Sequence, residues 1–278
     1  MLAHGADEPA PLGSIFKLYV LLAVADAVEG GDLDWGTVLT VSPQNRSLPS
    51  GELQDAPDGT QVTVIEAATK MIEISDNTAT DVLIQAVGRQ AVEDAVVQAG
   101  HHDPALMWPF VSTRELFQIG WGDPAYLEIW QNGNQDEQYA LLEQLEHQSI
   151  SPHDIAVGGD PLWPQGVDWY ASARDIASVH VALQQHDDAT VREILSQNPG
   201  VNQDAWDYVG YKGGSSLGVL TGSWYLEDAD GEGYVVVIQA NTDEPAGIST
   251  KSHAQFFQLA SSAIELTYDP RPAGISQD

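Results

Sequence analysis

The chain contains no cysteine. That excludes a disulfide framework, thiolate metal sites and cysteine nucleophiles. Basic residues are also scarce: 10 Lys and Arg stand against 41 Asp and Glu, for a formal net charge of −31. A nucleic-acid surface needs cations for its phosphates, so nucleic acid is not expected as a partner. The lysines are Lys17, Lys70, Lys212 and Lys251, so few that each is informative. Long apolar runs are missing too. Leu18 to Ala25, the longest in the opening helix, is too short to span a bilayer, and no membrane partner is expected. Residues 1–13 carry Asp7 and Glu8 but no basic residue, a poor signal-peptide n-region. As written the chain reads as cytoplasmic, although zero cysteine suits either redox state and leaves the compartment open.

With 278 residues, 43% of them hydrophobic, the chain can build a sizeable core. Its acids are spread along the whole length rather than gathered in a tail. That distribution points to a salt-rich environment, where screening shortens the reach of carboxylate repulsion.

Elements follow from periodicity and caps. Ser14 to Val28 reads as a greasy helix stopped at Gly30-Gly31. Thr37 to Val41 is a short strand and 42–60 a loop rich in Pro and Gly. Thr63-Val64-Ile65-Glu66 is a capping box opening a helix to about Ile74. Further helices are expected from Asn77 or Thr78 to Val87, Gln90 to Ala99, Ser112 to Gly120, Asp136 to His147, Ser172 to Gln185 and Ala189 to Ser196. Residues 149–170 form a long loop, of a length usually tied to function. Tyr208 to Lys212, Val219 to Leu226 and Tyr234 to Ala240 are strands, and Ser249 to Leu266 closes the chain as an amphipathic helix. The fold class is α+β: an antiparallel sheet flanked by helices, plus an all-helical lobe. The expected division is one domain over 1–278, with an α/β lobe of about 1–41 and 200–278 and a helical lobe of about 42–199.

Three short motifs carry chemistry. Ser14 and Lys17 lie one turn apart on one helix face. A serine needs its proton removed before it attacks. Lys17, among Phe16, Leu18 and Tyr19, would be desolvated toward its neutral, basic form. Alone, the pair is weak and fits a snorkelling lysine better. Ser75-Asp76-Asn77 sits at a helix–helix junction, where such residues also serve as caps. Lys212-Gly213-Gly214-Ser215 lies on a strand, and glycines there mean close backbone approach to a neighbour or a ligand. All three in this order, each on a fitting element, are not expected by chance.

Together the motifs resemble the penicillin-recognising serine enzymes, the class A β-lactamases and penicillin-binding D,D-peptidases, as a divergent member. The likeness runs from Ser14 to the last helix; Phe16 within Ser-x-Phe-Lys and the helix start at Ser172 add to it. The resemblance implies a serine hydrolase of β-lactamase/transpeptidase-like fold, with no cofactor, cleaving a small-molecule amide, ester or β-lactam. It implies that Ser14 is acylated, Lys17 is its base and Ser75 relays the proton. Asn77 would hold the substrate amide and Lys212 a carboxylate. The backbone N–H groups of Ser14 and Ser215, beside Gly214, would form the oxyanion hole.

Departures are visible. Gly213 stands where the group has a hydroxyl residue. The Glu-x-x-x-Asn deacylation signature is missing before Ser172, leaving Asp160 and Asp168 as the loop's candidate deacylation carboxylates. Only 13 residues precede Ser14, where the family builds a helix and two strands; either this start is truncated, or the sheet is reduced to little more than the three late strands, with an exposed edge. A penicillin-binding, sensor or catalytically silent module is therefore the alternative. Gly214-Ser215-Ser216-Leu217-Gly218 also matches a nucleophile elbow, with Asp243 and His253 downstream, though the elbow needs a helix after its strand. His101-His102-Asp103 reads better as a loop end than as a metal site. Trp108, Trp121, Trp163 and Trp169 lie in or beside the variable middle, and one of them is expected to line a substrate pocket. Oligomeric state is not legible.

Overall fold

The computed structural model describes residues 3–148, 150, 155, 157–186, 188–244 and 247–267. In chain order it forms β1 (Ala10–Pro11), α1 (Lys17–Glu29), β2 (Val38–Thr40), β3 (Gln61–Thr63), α2 (Val64–Glu73), α3 (Asn77–Val87), α4 (Arg89–Gln98) and α5 (Thr113–Trp121). Then come α6 (Pro124–Asn132), α7 (Gln135–Glu146), β4 (Tyr170–Ala171), α8 (Ala173–Gln185), α9 (Ala189–Leu195), β5 (Tyr208–Ser216), β6 (Val219–Glu227), β7 (Gly233–Asn241) and α10 (Thr250–Thr267).

The opening helix differs from expectation in its first turn. Gly13–Phe16 forms a 3-10 turn, and the α-helix starts at Lys17. Every residue from Lys17 to Ala25 is buried, as befits a helix that is apolar all round. It packs against α2, α3, α4 and α8. The expected Thr63 capping box forms, with Thr63 and Glu66 bonding reciprocally, and Ser112 with Glu115 and Ser172 with Asp175 cap α5 and α8 in the same way.

β5, β6 and β7 pair antiparallel in that order, with Lys212 opposite Ser223 and Gly214 opposite Thr221. Side chains alternate between the two faces of a strand. On β6, Leu220, Trp224 and Leu226 face α10, where they cluster with Phe256, Ala260 and Ile264. Thr221 and Ser223 face the other way, toward Leu12 and toward His180 of α8. A larger core unites α1 with apolar side chains of α2–α5 and α7–α9. Among the described residues the main sheet has three strands; β1–β4 and β2–β3 are separate short pairs. This is the α+β fold expected. No described helix is long and apolar enough to cross a membrane.

Some elements were not foreseen. α6 has an Asp123 cap and Pro124 in its first turn; none of its residues is fully buried, and Tyr126, Leu127 and Trp130 pack half-buried against the main core. The β1–β4 pair is two residues long. The elbow reading is overturned: Ser216 and Val219 are paired neighbours across the β5–β6 hairpin, so a strand, not a helix, follows. Loop 42–60 is tied down by Arg46, which donates to Leu53 O, Gln54 O and Asp58.

Candidate active site

Ser14 is half-buried in the 3-10 turn, behind a glycine at φ +49°, a conformation costly for any residue with a Cβ. A Cβ on Gly13 would stand 3.1 Å from Ser215 N, and one on Gly214 would stand 2.7 Å from Ser14 N. The two main chains therefore meet glycine to glycine. Thr221 Oγ1 fixes the approach by donating to Leu12 O at 2.7 Å. Ser14 and Ser215 meet at this seam, on the wall of a cleft of about 350 Å³.

Lys17 is fully buried. Its Nζ reaches Ser75 O at 2.7 Å, Asn77 Oδ1 at 2.7 Å and Ser75 Oγ at 3.0 Å. Among the described residues it forms no ion pair, and no hydrogen bond joins it to Ser14. Burial, and then the charge of Lys212, hold it well below the usual lysine range, against smaller pulls from Asp81 and Asp76. A neutral amine has two hydrogens and one lone pair. Ser75 O and Asn77 Oδ1 only accept, so the lone pair faces Ser75 Oγ, the one partner able to donate. Lys212 Nζ donates to the same Oγ at 3.2 Å and to Gly213 O at 2.7 Å. Burial pushes Lys212 down to about 7. Ser75 thus bridges both lysines. Its φ of +58° is strained for a non-glycine residue, and Ser50 Oγ donates to its carbonyl at 2.8 Å.

The middle residue of the second motif is the structural one. Asp76 is fully buried; it caps α3 through Ala79 N at 2.9 Å and receives Glu52 N at 2.7 Å and Leu53 N at 2.9 Å. This leaves Ser75 and Asn77 to flank the lysines. Asn77 lines the cleft, but its amide donates to Leu48 O at 3.2 Å and Pro49 O at 2.9 Å. Holding a substrate amide would require releasing one of these bonds.

The two candidate carboxylates separate. Asp160 is exposed and does not line the cleft. Asp168 lines it, and its Oδ1 accepts from Gly13 N at 2.9 Å, Leu12 N at 3.1 Å and Trp169 N at 2.8 Å. Its Oδ2 has only Ser216 Oγ, at 3.4 Å, among the described residues. Burial raises Asp168 to about 6 despite those bonds. Its hold on the nucleophile turn spans 155 residues and carries no sequence signal; neither does that of Thr221.

Three of the four flagged tryptophans, Trp121, Trp163 and Trp169, line the cleft; Trp108 does not. Trp169 stacks on Phe16 at 3.5 Å, which gives the Phe of Ser-x-Phe-Lys a packing role. His101 and His102 bond to Tyr170 O and Asp175, closing the start of α8. Chemically, the cleft wall carries Ser14 and a seam of backbone donors, while Lys17, Ser75 and Lys212 form a buried hydrogen-bonded cluster that does not line the cleft and joins it through Asn77.

A profile described as the β-lactamase enzyme family matches residues 2–264. No curated protein sequence matches the chain. Among solved structures, the chain is similar to a β-lactamase from Sphaerobacter thermophilus DSM 20745, at 21% identity and TM-score 0.63, covering 97% of this chain and 88% of that one. It is similar to a β-lactamase from Francisella tularensis at 13% identity and TM-score 0.64, covering 96% and 90%. It is also similar to a point mutant of PBP-A, an acyl-enzyme complex with penicillin G, at 19% identity and TM-score 0.62, covering 95% and 85%. At these identities the structural likenesses speak for the fold.

Proposed function

The chain belongs to the β-lactamase enzyme family, and from that premise we propose that it is a serine hydrolase that cleaves an ester or amide through an acyl intermediate on Ser14. The observation that carries this is Lys17, a fully buried lysine with no carboxylate partner among the described residues, whose Nζ lies 3.0 Å from the Ser75 hydroxyl. Burying an amine unpaired is costly, and a base near the nucleophile is a use that justifies it.

Ser14 Oγ adds to the substrate carbonyl, and its proton goes to Lys17 as the hydroxyl turns toward the amine in the complex; such contacts often form only there. The N–H groups of Ser14 and Ser215 receive the oxyanion, an arrangement worth about 10²–10³ in rate per donor. Ser75, fed by Lys17 and polarised by Lys212, hands a proton to the leaving group as the carbonyl re-forms. Water then attacks the acyl-serine, losing its proton to Asp168 Oδ2; as the carbonyl re-forms and the bond to Ser14 Oγ breaks, that proton is passed on to Ser14 Oγ, which restores both the hydroxyl and the Asp168 carboxylate. Cleft walls drawn from 13–16 and 215–217 on one side and from 113–121 and 157–169 on the other support a site between lobes of about 1–41 with 200–278 and about 42–199. The spread acidic surplus supports a salt-rich working environment.

One observation favours a second reading, a slow-releasing penicillin-binding or sensor module. Asp168 Oδ1 is spent on three backbone donors, so the water-activating carboxylate has little freedom. Turnover of 4-nitrophenyl esters and of a chromogenic cephalosporin, in molar salt, tests the proposal. Steady turnover lost in Ser14→Ala supports a hydrolase, and a single burst without turnover supports the sensor. Equal rates in wild type and Ser14→Ala contradict both.

A further inference from the structure

Resting on the acyl-serine reading, we propose that the substrate is an uncharged ester or amide with a bulky apolar acyl group, rather than a carboxylate-bearing β-lactam or peptide. Beyond Ser14 the cleft is walled by Phe117, Trp121, Leu162, Trp163, Val167 and Leu217. Its tryptophans offer no hydrogen-bond donor. The indole N–H of Trp121 goes to Gly158 O at 2.8 Å, that of Trp163 to Thr242 O at 3.0 Å, and that of Trp169 to Val111 O at 3.1 Å. Ring faces and aliphatic groups make up most of the wall that would meet an acyl chain; besides Ser14, the polar side chains on the cleft are Ser50, Asn77, Thr113, Asp168, Ser215 and Ser216. A cleft of about 350 Å³ is of the size that takes small organic ligands.

The site is equally marked by what would repel a carboxylate. Among the described residues neither lysine nor arginine lines the cleft, and Asp168 is the one ionisable side chain that does. Lys212 is buried, with its amine tied to Ser75 Oγ and Gly213 O. The hydroxyl absent at Gly213 cannot simply be restored: Tyr211, stacked on Trp224 at 5.0 Å, holds its own hydroxyl where a Cβ at 213 would stand. The described arginines are engaged elsewhere: Arg46, Arg89, Arg174 and Arg192 pair with acids, and Arg114 bonds to backbone carbonyls. At low salt, where screening is weak, a net charge of −31 further opposes the approach of an anion.

The test compares matched substrates in molar salt, with Ser14→Ala as background. The 4-nitrophenyl esters of acetate, butyrate, hexanoate and phenylacetate are set against the 4-nitrophenyl monoester of glutaric acid, and benzylpenicillin methyl ester against benzylpenicillin. The expected result is a kcat/KM that climbs up to about fourfold per methylene, the value of a buried CH₂, and that falls at least about tenfold when the acyl chain ends in a carboxylate, the cost of burying an unpaired charge. The methyl ester should acylate Ser14 faster than the free acid. Leu217→Lys, on the cleft wall, should narrow the neutral-to-anionic ratio, and Phe117→Ala should flatten the chain-length dependence. Equal or faster reaction of the carboxylates, still lost in Ser14→Ala, overturns this proposal and leaves the acyl-serine reading standing. No Ser14-dependent reaction with any substrate overturns both.

Discussion

Ser75 Oγ lies 3.0 Å from one amine and 3.2 Å from another, and no other hydroxyl among the described residues joins Lys17 to Lys212. Ser75→Ala should therefore fold normally and slow acylation by about 10²-fold or more, the usual worth of a positioned proton donor; single-turnover release of 4-nitrophenol measures it. The pH profile follows from two neighbours. Asp168, raised to about 6, is ionised and able to take a proton only above that pH, so deacylation should rise through pH 6. Lys212, pushed down to about 7, loses its charge above that pH, so acylation should fall there. The result is a bell with limbs near 6 and 7. Asp168→Asn should remove the acid limb, and Lys212→Arg should carry the alkaline limb out of range. At this scale the motif residues were legible because each sits at short, repeatable spacing. Asp168 as a clamp on the nucleophile turn was not, since its partners Leu12 and Gly13 lie at the other end of the chain sequence.

At the scale of elements, the cap of α3 links stability to the site. Asp76 satisfies one helix donor and two loop donors while fully buried. Asp76→Ala should cost about 2–4 kcal/mol, a lost cap plus unpaired buried amides, and should slow acylation by displacing Ser75 and Asn77. Denaturant titration and the single-turnover assay read the two effects. An unchanged midpoint would contradict this role. Helices with a cap and an apolar stripe, such as α2 and α8, were readable from sequence. α6 was not, although Tyr126, Leu127 and Trp130 pack half-buried against the core, because Asp123-Pro124 reads as a turn as readily as a helix start. β1 and β4 were not, because a two-residue pair is held by its surroundings rather than by its own pattern.

Over the whole molecule, charge dominates. Every described basic residue except Lys251 has a partner in an ion pair, at a carbonyl or in the active site, and the whole chain sets 41 acids against 10 Lys and Arg. Screening should relieve the remaining repulsion. Tm should rise between about 0.1 M and molar KCl, by about 2–4 °C for each kcal/mol relieved, the scale for a large domain; a flat Tm would contradict a salt-rich setting. The α+β class was legible because three β-rich segments close a chain of capped helices. The joining of α1 to the cores of α2–α5 and α7–α9 was not, because burial on all sides erases the stripe that would name its neighbours.

The central claim is that Ser14 carries the acyl group. The most direct measurement is acid quench within seconds of mixing with 4-nitrophenyl phenylacetate and with benzylpenicillin methyl ester, followed by intact mass and peptide mapping. The account predicts one adduct of the acyl mass on the peptide holding Ser14, absent in Ser14→Ala and present in Ser216→Ala. An adduct on Ser215 or Ser216, or none from either reagent, would contradict it.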